Sequence, residues 1–273
     1  MNGGARDRII VAQKAWAERN GIEFTERFRT VNLEDNLFQP LNTATRAEFE
    51  AGAGDELGEP GQPGKLASLY SSSALATNMF DFWRGRYATA LFEALGLGGG
   101  GRVVRFEAKH PTGLPGTPPH LDVELAGREG APVGVESKFA EPYGRIHNQF
   151  RPVYFERESL WEGMPRLRRL AERIDDGSVE FEHLHAAQLI KHTLGLAHSY
   201  GPDGFTLMYL WYFVDGPEGE RHQSEVEEFG AVLGGEVRLM SRTYQGVLGR
   251  FAPDIGADAW YTYMAERYVA SMA

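Results

Sequence analysis

Two short strand-like runs carry the residue types best suited to chemistry. They are His120-Leu121-Asp122-Val123-Glu124-Leu125 and Val133-Gly134-Val135-Glu136-Ser137-Lys138-Phe139. Side chains alternate along a strand, so Leu121, Val123 and Leu125 share one face of the first run. Val133, Val135, Ser137 and Phe139 share one face of the second. A turn centred at Glu129 sets Val123 opposite Val135 and Leu125 opposite Val133, with both apolar faces on the same side. That register also sets Asp122 opposite Glu136 on the other face, with Lys138 two residues further on.

Carboxylates held side by side on a strand pair repel one another, and a cation between them relieves this. A divalent metal and a lysine are the two candidates. Hard oxygen ligands, one or two carboxylates and a substrate phosphate make a typical Mg²⁺ site. A metal there could polarise a phosphodiester and lower the pKa of a bound water. Lys138 could hold that water or stabilise the developing charge, and the backbone carbonyl of Ser137 could reach the metal. The competing reading is the solvated polar face of an edge hairpin. Acid-x-Lys occurs twice, at Glu107-Ala108-Lys109 and at Glu136-Ser137-Lys138, so the tripeptide alone discriminates little. Asp122 on the partner strand, with 13 residues between it and Glu136, adds weight.

The elements that must position these residues are legible from periodicity. Residues 1–50 read as mostly helical, with Ile9, Ile10, Ala12, Ala15 and Trp16 able to line one helix face. Ala51–Gly64 holds five Gly, two Pro and three acids and reads as an exposed linker. A helix is predicted from Ser72 to Leu95, with Ser71, Ser72 and Ser73 offering N-cap hydroxyls and Gly96 and Gly98 stopping it. Strands follow at Arg102–Ala108, Leu121–Ala126 and Val133–Phe139. Arg157–Ile174 and Glu182–Ser199 read as helices, and Phe205–Val214 as a buried strand. The tail adds a helix near Glu225–Leu233, a strand near Val237–Tyr244 and a helix from Ala257. The order is that of a mixed α/β fold with at least one antiparallel hairpin.

Composition narrows the function classes. The chain has 273 residues, 42% hydrophobic and 24% charged, which is enough to bury a full core in one domain with an elaborated terminus. No apolar run is long enough to span a bilayer, and the first residues have no apolar leader. There is no cysteine, which removes disulfides, thiolate metal sites and cysteine nucleophiles. A cytoplasmic protein fits these features. The net charge of −10 gives no general attraction to nucleic acid, so a nucleic-acid partner would need a local basic patch or metal ions.

Other signals carry less. Gly96–Gly101 matches G-x-G-x-x-G but follows a helix, the reverse of the dinucleotide-binding context, and reads as a helix stop. His183, His185, His192 and His198 suggest a metal cluster only weakly, since helix histidines are usually core or surface residues. Arg166, Arg168, Arg169 and Arg173, with Arg145, Arg151 and Arg157 upstream, read either as phosphate contacts or as a solvated face paired with Glu162, Glu172 and Asp175. Tyr209, Trp211, Tyr212 and Phe213 read as sheet core.

The chain resembles the PD-(D/E)XK nuclease superfamily, and within it a branch of restriction endonucleases. The resemblance rests on Pro119-His120-Leu121-Asp122, Glu136-Ser137-Lys138, Ser71 to Phe80, Phe106-Glu107, Tyr154 to Trp161 and Gln188 to His192, which span residues 71–214. It implies an α/β fold with a restriction-endonuclease-like αβββαβ core and mixed sheet, in a domain of residues 66–273 preceded by an N-terminal helical extension and linker of residues 1–65. It implies a Mg²⁺-dependent endonuclease acting on double-stranded DNA, with Mn²⁺ as a possible substitute and a homodimer suited to a double-strand break. By the resemblance Asp122 and Glu136 are metal ligands, Lys138 is the catalytic lysine and Gln188 faces the site. The additional acid is Glu93 or Glu107, with Glu107 preferred. A repair-type or exonucleolytic nuclease, and a silent nuclease fold that binds DNA or a protein, are the alternatives.

Overall fold

The computed structural model describes residues 3–52, 55–59, 61–253 and 256–270. Five strands form one mixed sheet: β1 (Arg102–Lys109), β2 (His120–Ala126), β3 (Pro132–Lys138), β4 (Thr206–Trp211) and β5 (Leu239–Thr243), in that spatial order. β1, β2 and β3 pair antiparallel, while β3, β4 and β5 pair parallel. The helices are α1 (Ala5–Arg19), α2 (Thr43–Ala51), α3 (Ser72–Phe80), α4 (Thr89–Leu95), α5 (Pro165–Asp175), α6 (Ala186–Tyr200), α7 (Pro217–Leu233), α8 (Tyr244–Arg250) and α9 (Asp258–Tyr268). The order from α3 through β1, β2, β3 and α6 to β4 is the αβββαβ order expected from the sequence.

β4 shows how the layers form. Met208 and Leu210 face a core built from α3, α4, α8 and α9, while Leu207, Tyr209 and Trp211 face a second core built from α5, α6 and α7. Both faces of a parallel strand are thereby covered, which is why Phe205–Val214 reads as a continuous apolar run. Among the described residues no helix is long and apolar enough to cross a membrane.

Several expectations need correction. The helix expected over Ser72–Leu95 is two helices, α3 and α4. Asp81 breaks it by turning its carboxylate to the Asn42 N–H and the Thr45 hydroxyl, and Gly85 then takes a left-handed φ of 76°. The Ser71 N-cap and the stop at Gly96 are present. Residues 20–42 contain no α-helix, only one short 3₁₀ turn at Leu33–Asn36. The helix expected over Arg157–Ile174 starts at Pro165, whose fixed φ suits a first helical position. The stretch Ala51–Gly64 is not simply exposed. Gly58–Glu59 pairs with Gln62–Pro63, Glu56 is buried, and Leu57 packs on the core; Ala53, Gly54 and Pro60 lie outside the described residues. Ala5, Ile9, Leu37 and Phe49 belong to the same apolar cluster as the sheet, so packing runs across the change in sequence character near residue 65.

A polar network ties α6 to the β1–β2 pair. Glu124 accepts from Arg105 Nη2 at 2.7 Å and Tyr200 Oη at 2.9 Å, and lies 3.0 Å from His110 Nε2. Burial by itself would raise the Glu124 pKa; the donors outweigh it and hold the carboxyl at about 2. A depressed carboxyl pKa stabilises the fold above the unfolded value near ~4.3, and that contribution is lost as pH falls through the folded value. Glu124→Gln is therefore expected to cost about 2 kcal/mol near neutral pH, with the gap to wild type closing below about pH 4. Thermal melts across that range test it; a gap independent of pH would contradict it.

Candidate active site

The hairpin has the expected register, with Val123 opposite Val135 and Leu125 opposite Val133. The paired ladder ends at Val123–Val135. Beyond it, the Ser137 N–H donates to Asp122 Oδ2 at 2.7 Å, so a side chain continues where the backbone pairing stops. The expected alternation breaks at the same place. Leu121 packs in the α6 core with Ala108, whereas Val123 and Phe106 face the α3 core. The switch coincides with Glu107 on β1, a non-glycine residue at a φ of 48° between Phe106 and Ala108. Such a conformation costs about 1–3 kcal/mol and needs support from its surroundings; the sheet switches sides here, next to Asp122.

Glu136 is 1% exposed and Lys138 6% exposed, so the pair is buried, not a solvated edge face. Lys138 Nζ lies 2.5 Å from Glu136 Oε1, and His192 Nε2 on α6 lies 2.9 Å from Glu136 Oε2. The His192 contact is close but not aligned as a hydrogen bond, which leaves Glu136 Oε2 and both His192 ring nitrogens unsatisfied. Burial would raise the Glu136 pKa, but Lys138 and His192 hold it well below the ordinary carboxylate range. Burial, reinforced by the nearby Glu136 charge, drives the Asp122 carboxyl well above its ordinary range. Burial would lower the Lys138 pKa, but Glu136, Asp122 and Glu141 together raise it.

Asp122 and Lys138 open into a cavity of about 490 Å³ that Gln188, in the first turn of α6, also lines. The Gln188 N–H donates to the His185 carbonyl at 3.0 Å. Asp122, Glu136, Lys138 and Gln188 are thus gathered at one place. Glu107 is near enough to raise the Asp122 and Glu56 carboxyls, but its own carboxylate lies 3.2 Å from His120 Nδ1 and it does not line the cavity. Glu93 is exposed on α4, away from the cavity lining.

Three residues here were not foreseen. Glu141 lines the cavity and accepts from Ser72 Oγ at 2.7 Å and the Phe139 N–H at 3.1 Å, pinning the start of α3 to the end of β3. Glu56 lines it too, and its buried Oε2 has no hydrogen bond. His192 was visible only as one of several histidines; its seat against Glu136 has no local sequence signal. The arginines of α5 follow the solvated-face reading in part, since Arg168 pairs with Glu172 at 3.0 Å and Arg166 takes Glu236.

The donor set suits a hard divalent cation. Asp122 and Glu136 supply carboxylate oxygens side by side; burial and the Glu136 charge, only partly offset by Lys138, raise the Asp122 carboxyl, and Glu136 Oε2 meets only His192 Nε2 at 2.9 Å without a formed hydrogen bond. Among the described residues no three His, Asp or Glu side chains form a ligand set alone. A cation would take Asp122 and Glu136 and complete its shell with backbone, water or substrate oxygen, as Mg²⁺ does.

A family model described as Restriction Endonuclease associating with ARP matches residues 9–230, which contain all of these site residues. No curated protein and no solved structure matches the chain significantly.

Proposed function

The chain belongs to the family of restriction endonucleases associating with ARP, and from that premise we propose that it hydrolyses DNA phosphodiester bonds in a metal-dependent reaction at Asp122, Glu136 and Lys138. The observation that carries this is the buried Glu136–Lys138 pair beside Asp122 at the wall of an open cavity. Burying a lysine and two acids is expensive, and an arrangement that leaves one carboxylate oxygen unsatisfied suits a ligand better than it suits stability.

In the proposed reaction water attacks phosphorus in line, the new P–O bond forms as the bond to the departing nucleoside oxygen breaks, and that oxygen takes up a proton. Mg²⁺ held by Asp122 and Glu136 would supply Lewis-acid polarisation of the phosphate, with Mn²⁺ able to substitute. The raised pKa of Lys138 keeps it protonated, so it acts as a fixed positive charge and hydrogen-bond donor rather than as a base. His192 braces the Glu136 carboxylate from the side opposite Lys138. Gln188 offers an amide to the substrate from α6. Double-stranded DNA is the proposed substrate, and a homodimer the arrangement that would cut both strands.

The test is incubation of the purified protein with supercoiled plasmid in Mg²⁺, Mn²⁺ or EDTA. Nicked or linear product only with metal is expected. Digestion of linear but not circular DNA would replace the endonuclease reading with an exonuclease. Binding without turnover under every metal condition would replace it with a silent nuclease fold.

A further inference from the structure

The segment before α3 sends three cations to the cavity that holds Asp122 and Lys138: Arg6 from α1, Arg29, and Lys65. Arg6 and Arg29 line this cavity without an acid partner of their own among the described residues. Arg6 is half-buried, its guanidinium stands 5.3 Å over the Tyr70 ring, and it has no carboxylate partner among the described residues. Arg29 is half-buried and donates to the Pro63 carbonyl, again with no carboxylate partner among the described residues. By contrast, Arg168 on α5 and Arg84 before α4 each pair with an acid. A guanidinium that has lost part of its hydration without gaining a counter-ion favours an anion at that place.

Among the lining residues Lys138 and Glu56 are buried, Asp122, Glu141, Arg6 and Arg29 are half-buried, and Lys65 is exposed. Arg6, Arg29 and Lys65 thus add positive charge toward the solvent side of the cavity. Arg29 also lines a second cavity of about 470 Å³ together with Arg27 and Glu26, so positive charge continues beyond the first cavity with one carboxylate beside it. A single phosphate would need only one such place; a series of them fits a ligand with repeated phosphates.

We propose, on the nuclease reading above, that Arg6 and Arg29 bind backbone phosphates of the DNA flanking the scissile bond, and that the segment before α3 is one wall of the substrate groove. An acidic protein thereby meets a polyanion through a local patch. The patch belongs to the same structural layer as the hairpin that carries the candidate site, since α1 packs in the sheet's own core through Ala5 and Ile9.

The test is fluorescence anisotropy of a short labelled duplex in EDTA over a range of salt. Arg6→Gln combined with Arg29→Gln is expected to weaken binding about tenfold at low salt and to reduce the slope of log Kd against log salt by about two. Arg169→Gln with Arg173→Gln makes the same charge change on exposed positions of α5 and is expected to keep wild-type affinity and slope. Arg6→Lys with Arg29→Lys retains the charge and is expected to restore most of the slope, which separates phosphate contact from a folding defect. Wild-type affinity and slope in the double glutamine variant, or equal losses in the α5 control, would overturn the proposal. Metal-dependent cleavage by wild type alongside such a result would leave the nuclease reading standing and remove this inference alone. Failure of wild type both to bind the duplex and to cut plasmid would remove both.

Discussion

Lys138→Met is expected to slow metal-dependent plasmid nicking by about 10²- to 10³-fold, the scale seen when one charge-stabilising donor is removed from a site of this kind. Two effects add. The substrate loses the buried lysine that lines the cavity beside Asp122. Glu136 also loses the cation 2.5 Å from it, so burial pushes its carboxyl up toward the protonated form. Methionine keeps most of the side-chain volume, so a thermal melt separates chemistry from unfolding. Glu136→Gln should show a loss of similar size with the shape of the site retained. Either variant nicking plasmid at close to the wild-type rate, while folded, would mean that the chemistry lies elsewhere.

Arg267→Ala is expected to be the most damaging substitution away from the cavity, at about 4 kcal/mol. Arg267 on α9 is fully buried. Its guanidinium donates to the Asn36 carbonyl at 2.8 Å, to Asn36 Oδ1 at 2.6 Å and to Gln13 Oε1 at 3.0 Å, and it stands 4.3 Å over the Trp16 ring. It therefore joins the last helix to α1 and to the turn at Asn36. Alanine removes the donors to Asn36 Oδ1 and Gln13 Oε1, leaves the Asn36 carbonyl with Asn78 Nδ2 alone, and opens a cavity. A fall in melting temperature of about 10 °C follows from the size of the chain. Earlier proteolysis within residues 20–40 should accompany it, because that stretch has little regular structure of its own. A melting temperature within about 2 °C of wild type would show that the network contributes little net stability.

The hairpin that carries the candidate site was legible because its information is local. Asp122, Glu136 and Lys138 lie within 17 consecutive residues, and period-two alternation together with a short turn specifies their register. The same locality made β1, the E-x-K strand and the resemblance to restriction endonucleases readable, and the family match supports that resemblance. The side switch at Leu121 was not readable, because Glu107 is not a residue that announces a left-handed φ. The break in the long helix was concealed likewise, since it depends on Asp81 finding Asn42 and Thr45 about forty residues away.

What the sequence by itself determined is the αβββαβ order, the hairpin register and the three residues at its centre. All follow from periodicities and turn residues acting over a few positions. Only the tertiary structure decided that the pair at Glu136 and Lys138 is buried, that His192 braces Glu136 from α6, and that Glu141, Glu56, Arg6 and Arg29 reach the same cavity. Those contacts join positions far apart in the chain. Burial, and the charge of a neighbour brought from a distant segment, leave no periodic trace in the residues that experience them.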